Sequence, residues 1–486
     1  MSAFERHKDN ALVQEFGCNL LHNLAFKNTR NKELIAARGC IRAIVETSMS
    51  NHPASAKVHI EACRALMSLS FSRACQDTIL AVGGIEQIFQ SMATLREAKD
   101  VQVQAFKVLC ALAINHAENK RRIIQGVGQI VLSMQRHAGA GDVQGEGCAV
   151  LATLSFRNAA HKKVISDSSG IDVIVAAMQR HRQIVGVQVD ACKALASLAF
   201  DAALQVEIAE KGGVEAVVAA MQGHRWRGGL KEQQKKKKDA GEGGPSFTTA
   251  SLPSTAAAKG AAAAAAADDD DAQTGVVAAA ANPRSSSTTA RGQRKGCIRV
   301  QSEGAKALSE LAYRLEANKI RITQAGGIEA LMEAMACHER VSRVQLESCR
   351  ALFSLAICAD SKQRMVAVGI IPRVVAMMRI QANISASVQD HGCRLLAELM
   401  YKNKRRVEMV RQAGGVSAIF LGVIENSSQM SDDPNPMECK SAKEGAEHSG
   451  VGVGERNRRV GVAAAAVAVA KKEGGKGGGG EGEGGG

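Results

Sequence analysis

Aromatic residues make up only 3% of this 486-residue chain, with one tryptophan and two tyrosines. A core of large rings is excluded, so packing must rest on Leu, Val, Ile, Ala and Met within an apolar content of 45%. Proline occurs just seven times, which leaves room for many unbroken helices. The thirteen cysteines show no paired short spacings. That argues against a disulfide framework or a zinc site, and for reduced thiols inside a cell. The longest apolar run that could enter a membrane, "VGVAAAAVAVA" at 460–470, falls well short of the ~20 residues a span needs. The opening "MSAFERHKDN" has no apolar signal core, and Ser2 stands where a myristoylation signal needs glycine. A soluble protein is expected. Catalytic signatures are lacking too, with no HExxH helix, nucleophile elbow or phosphate-binding loop. No catalytic residue, cofactor or metal is expected, and the chain reads as non-enzymatic.

What the chain does have is repetition. Val13, Val58, Val101, Val143, Val187, Val300, Val344 and Val388 open eight similar stretches, at spacings of 45, 43, 42, 44, 113, 44 and 44. Leucine stands 8 and 11 residues after every one of these valines, from Leu21 and Leu24 to Leu396 and Leu399. The fourth residue after the valine is always small: Gly17, Ala62, Ala105, Gly147, Ala191, Gly304, Ser348 or Gly392. These offsets share one face of an α-helix, and small residues there admit a close neighbour. Each stretch leads through a polar corner into a short apolar run such as "NKIRITQAGG" (318–327), then into another such as "IEALMEAMACH" (328–338). Three helices per ~44 residues, none able to bury its apolar face alone, predict an all-α solenoid.

The unit resembles the armadillo repeat, with "NKIRITQAGG" as first helix, "IEALMEAMACH" as second and "VQLESCRALFSLA" (344–356) as third. The wording is most similar to the armadillo arrays of leucine-rich-repeat kinases and free-standing armadillo scaffolds, and covers about 13–224 and 297–424. The resemblance implies a right-handed superhelix of about seven to eight repeats whose third helices line a concave groove. The array is expected to open on a bare third helix near Leu12 and close near Ile424, leaving both end surfaces incompletely capped.

Four segments follow: armadillo repeats over 1–224, an insertion over 225–296, further repeats over 297–426, and a Gly-rich tail over 427–486. The insertion holds "KKKK" (235–238), "AAAAAAA" (261–267) and "DDDD" (268–271). Such biased runs cannot form a core, so insertion and tail are expected to be disordered. A four-lysine run fits a minimal nuclear-localisation pattern, but a solvated charge run is the plainer reading. The expected location is the cytoplasm, with the nucleus open to it.

Other columns have structural readings. Cys18, Cys63, Cys148, Cys192, Cys349 and Cys393, five after the valine, read as compact buried fillers. Met49 and His52, and the matching pairs to Met335 and His338, end the second helices. The methionines read as core and the imidazoles as caps on helix C-termini. Phe26, Phe71, Phe156, Phe200, Tyr313 and Tyr401, thirteen after the valine, read as an inter-repeat packing staple that leaves no stacking platform for single-stranded nucleic acid.

The groove is where function is expected. Nuclear-import receptors, which resemble this pattern, carry Trp six after the valine and Asn ten after, and clamp basic peptides with them. Here the Trp slot holds Asn19, Arg64, Lys107, Ala149, Lys193, Lys306, Arg350 and Arg394, and of the Asn column only Asn23 remains. That argues against a basic import signal. The candidate groove residues are the cations Arg64, Lys107, Lys193, Lys306, Arg350 and Arg394. Glu61, Glu146, Asp190, Glu303 and Glu347 stand three residues before this slot, and Glu310 and Glu398 occupy the Asn slot. Salt pairs at i,i+3 are expected for Arg64, Lys193, Lys306 and Arg350, in a groove of mixed charge.

Most of the formal net charge of +14 lies in the repeats. It clusters at corners entering first helices, in Lys120, Arg121, Arg122, Lys162, Lys163, Lys404, Arg405 and Arg406. The helix dipole disfavours cations there, so these residues form a candidate basic edge. The reading is a protein-binding scaffold or adaptor that presents its groove to an extended or helical, acidic partner segment, with no small-molecule substrate. Its alternatives are a carrier or tether touching nucleic acid or anionic membrane through the basic edge, and a regulatory subunit of an enzyme complex.

Overall fold

The computed structural model describes residues 2–225 and 290–419, and every regular element within them is a helix. Eight third helices occur among the described residues: Ala11–Ala25, Ala56–Leu69, Lys99–Ala113, Gly141–Ser155, Val185–Leu198, Ala290–Leu311, Ser342–Ala356 and Ala386–Met400. Each leads into a nine-residue first helix, from Thr29–Ala37 to Lys404–Gln412. Second helices such as Gly84–Thr94 and Gly327–Cys337 complete the units. One second helix departs from the pattern, passing from Cys40–Arg42 into a π-helical stretch, Ala43–Met49. A left-handed glycine, for example Gly83 at φ 72° or Gly326 at φ 83°, turns first helix into second where a side chain would be strained. Consecutive third helices pack side by side, and theirs are the most extensive contacts between repeats. The array is an all-α solenoid, and no described helix is long and apolar enough to cross a membrane.

Most of the valine and leucine columns lie in one continuous core, with the column methionines Met49, Met134, Met178, Met221 and Met335 buried in it. The small-residue column has a specific reason. A Cβ on Gly147 would lie 2.6 Å from Met134 Sδ, and one on Gly304 2.6 Å from Met221 Cγ. The glycine thus makes room for the methionine of its own repeat's second helix. The cysteine column is buried except for half-buried Cys393, and burial pushes the Cys18, Cys63 and Cys349 thiols up to about 12.

Three expectations change. The first third helix is not bare, because Ser2–Arg6 stands before it as the last turn of a second helix. Phe4 packs against Gly17, whose Cβ would sit 2.7 Å from the ring. Nor are all sixteen leucines buried. Leu24 is 44% exposed, along with Leu12, Phe16 and Leu20 on the same helix, because no third helix among the described residues packs on that side of it. Finally, the insertion gives up its last residues to structure. Helix Ala290–Leu311 has 22 residues, against 14 or 15 for the other third helices, and a Cβ at Gly296 would lie 3.1 Å from Val185. The rest of the insertion and the whole tail lie outside the described residues.

The stack continues across the insertion. Gln205 Nε2 donates to the Glu310 carbonyl at 2.8 Å, Asn318 Nδ2 to that of Gln205 at 3.1 Å, and Arg321 pairs with Glu215 at 2.6 Å. Deleting residues 228–287 should therefore leave the helical circular dichroism and the melting transition nearly unchanged, since surface insertions cost little. A midpoint lowered by roughly ten degrees or more, well over ~1 kcal/mol, would show that the insertion carries structure.

A polar ladder completes the frame. The residue after each column valine is Gln14, His59, Gln102, Gln144, Gln188, Gln301, Gln345 or Gln389, and all eight are buried. Each glutamine amide reaches back to the end of the preceding second helix. Gln144 Nε2 donates to Met134 and His137 carbonyls at 2.8 and 3.0 Å, and Gln345 Nε2 to those of Met335 and His338 at 2.9 and 2.8 Å. Gln301 makes the same bonds, to Met221 and His224, across the insertion. These amides satisfy carbonyls that a helix end leaves without intrahelical partners.

His137, His181, His224 and His338 stand at the C-caps of their second helices, as expected, and the histidine side chains reach further. The Nε2 atoms of His52, His137, His181 and His224 meet the carbonyls of Lys8, Arg96, Ala138 and Arg182, each one repeat earlier. They stitch neighbouring repeats together. Among the described residues His338 has no hydrogen-bond partner at either ring nitrogen, and burial lowers its pKa to about 4.

Candidate functional site

The third helices carry the candidate groove residues, and ion pairs link them along and across the stack. Arg64 meets Glu61 at 2.9 Å, Lys193 meets Asp190 at 3.1 Å and Arg350 meets Glu347 at 3.3 Å, all at i,i+3. The fourth expected pair is absent among the described residues, because Glu303 is taken by Arg343 of the next repeat at 2.6 Å. Other bonds also cross repeats: Asn19 to Glu61 at 2.8 Å, Arg350 to Glu310 at 3.6 Å and Lys362 to Glu398 at 2.7 Å. Arg394 pairs with Asp390 at 3.0 Å.

The groove charges are sorted by depth. At Arg64, Lys193, Arg343 and Arg350 the cation is the more exposed partner, most sharply for Arg343 at 43% over Glu303 at 6%. The order reverses at Lys107, which is buried with Glu146 at 3.9 Å, and at Arg394 and Lys362 towards the C-terminal end. Of the six groove cations, Lys107 is the one the fold withdraws from a ligand's reach. Burial pushes Glu146 up to about 7 against the pull of Lys107. It also raises Glu310 and Glu347, against Arg350 and Lys306.

The basic edge divides as well. Arg121 pairs with Glu118, and Arg122 with Glu86 at 3.5 Å. Lys163, Lys404 and Arg405 are exposed, and Arg406 donates to the Leu399 carbonyl at 3.3 Å. Lys120 is half-buried and Lys162 buried, and burial lowers the pKa of both. Their ammonium groups lie over Phe156 and Phe200, at 5.9 and 5.1 Å from the ring centres. The aromatic column is therefore no packing staple. Its six rings are 43–63% exposed, at the same corners as the cations. The column was visible in the sequence, but its exposure was not.

The comparisons agree with this geometry. The family described as the LRRK2 ARM repeat matches residues 1–150. No curated protein matches the chain in sequence. Among solved structures, one comes from work on a phosphorylation switch that controls the interaction between cadherin and beta-catenin. It has a TM-score of 0.56 and 13% identity, and the match covers 87% of this chain and 75% of that one. An engineered protein has a TM-score of 0.49 and 22% identity, over 84% of this chain and 90% of that one. The fold is that of the armadillo repeat. Residues 1–150 match that family directly.

Proposed function

We propose that the chain is a non-enzymatic scaffold whose groove takes an extended or helical segment of an acidic partner protein. The observation that carries this reading is the sorting of groove charges by depth. The column sum is close to neutral, yet over much of the groove an incoming segment meets guanidinium and ammonium groups first. The carboxylates below hold these cations in place, and Arg can bind a partner carboxylate in a two-pronged geometry. The interaction between cadherin and beta-catenin, named in the work on the similar fold, supports a protein as the class of partner.

The test is fluorescence anisotropy with a labelled peptide of alternating Glu and Leu. Arg64→Gln with Arg350→Gln should weaken capture roughly tenfold, or about 1.4 kcal/mol, and the difference should shrink in high salt. Unchanged capture would move the binding site off the groove.

The pH dependence has a definite sign. A pKa near 7 leaves Glu146 anionic above that pH and neutral below it. Lowering pH from 8 to 6 removes one negative charge from the groove while the peptide carboxylates stay ionised. Capture should therefore tighten, by roughly fivefold at most for a charge about 4 Å away in a high-dielectric setting. Glu146→Gln should flatten this response. An equal response in that variant would assign the titration to another group.

A further inference from the structure

The corner after six of the eight third helices repeats an arrangement that neither the core nor the groove uses. Six of the chain's fourteen aromatic residues stand there, including both tyrosines, and all six are exposed. Each carries a cation over its ring. Lys27, Arg157, Arg314 and Lys402 directly follow their rings in sequence and sit 5.4, 5.2, 5.0 and 5.2 Å from the centres of Phe26, Phe156, Tyr313 and Tyr401. All four hold the left-handed conformation, with φ between 51° and 59°, which is unfavourable for a residue with a side chain. A second source is the first helix of the same repeat. Lys32 lies over Phe71, Lys120 over Phe156 and Lys162 over Phe200, with Lys32 and Lys162 themselves buried. The shared position in each unit places the rings in a row along one edge of the solenoid, interrupted at Ile114 and Ile357.

The cations of this row differ from those of the groove. Among the described residues, no carboxylate lies within the 4.0 Å ion-pair distance of any of the seven. They rest on ring faces instead, and Asp201 and Glu310 act on Lys162 only from further off. Exposed rings with cations over them, at six of the eight corners, together describe a surface for a flexible polyanion that carries flat faces of its own.

We propose that this edge is a track for single-stranded nucleic acid, with bases stacking on the exposed rings and phosphates taking the cations beside them. An acidic peptide would use the cations but has no regular need of the ring faces. A bilayer is flat, whereas small rotations between repeats bend a solenoid edge into a curve that a flexible strand can follow. Stacking on any base face is sequence-tolerant, so the track should show little base preference. It is independent of the groove and can be tested apart from it.

The probe is a fluorescein-labelled (dT)20 strand, titrated with the full chain by anisotropy across a salt series. If about six phosphates are engaged, the logarithm of affinity should fall with that of salt with a slope of roughly −4. The combined substitutions Phe156→Ala, Phe200→Ala and Tyr313→Ala should weaken binding by roughly a hundredfold or more, and the ratio should persist at high salt because stacking is not screened. The rings are exposed, so circular dichroism should not change. Should the triple variant unfold, Phe200→Ala and Tyr401→Ala singly should each cost roughly tenfold. Three outcomes overturn the proposal: no binding by the wild type, equal binding of duplex DNA or heparin with no effect of ring removal, or ring-dependent capture of phosphatidylserine vesicles without capture of the strand.

Discussion

Gln188→Leu should lower the stability of the array by roughly 2–6 kcal/mol, although leucine is close to glutamine in size and the site is buried. Gln188 Nε2 donates to the Met178 and His181 carbonyls, both at 3.0 Å, at the end of helix Gly170–Arg180. Leucine removes both donors and admits no water. Each buried acceptor left unsatisfied costs ~1–3 kcal/mol. Gln188→His should be milder, because His59 fills the same slot in another repeat, where its Nε2 donates to the His52 carbonyl at 3.1 Å and its Nδ1 lies 2.7 Å from Ser91 Oγ. Urea denaturation measures the loss, and hydrogen exchange should rise first in residues 170–200. A leucine variant as stable as the wild type would show that these carbonyls find other partners.

Leu352→Ala should cost ~2–5 kcal/mol, the range for a buried leucine replaced by alanine. Leu352 is fully buried in helix Ser342–Ala356, between third helices on both sides. Repeats couple mainly to their neighbours, so hydrogen exchange should loosen around 300–400 before the N-terminal repeats respond. Uniform loosening would indicate one global core. Leu24→Ala offers a control from the same sequence pattern. It is a column leucine too, but its exposure should hold the loss to about 1 kcal/mol or less, since much of its side chain is already in water.

That pair of leucines marks how far one-dimensional pattern reaches. The period, the eight third helices and the buried valine, leucine and cysteine columns were legible because helical spacing selects a face regardless of what packs on it. The glutamine ladder was equally regular in the sequence, yet a polar residue beside a core position reads as solvated. Its partners lie ten and seven residues earlier, on a different helix. The groove cations were legible as a column, but not the withdrawal of Lys107 or the pairing of Glu303 with Arg343.

By itself, the sequence determined the repeating unit, its three helices and the composition of each column. Only the tertiary structure decided which columns face water. The aromatic column shows why. A residue repeated at one position of every unit is equally regular whether the next repeat covers it or leaves it bare. Coverage depends on the path of the corner, which at Phe156 and Tyr313 turns through a left-handed residue. There the following residue also places its own cation over the exposed ring.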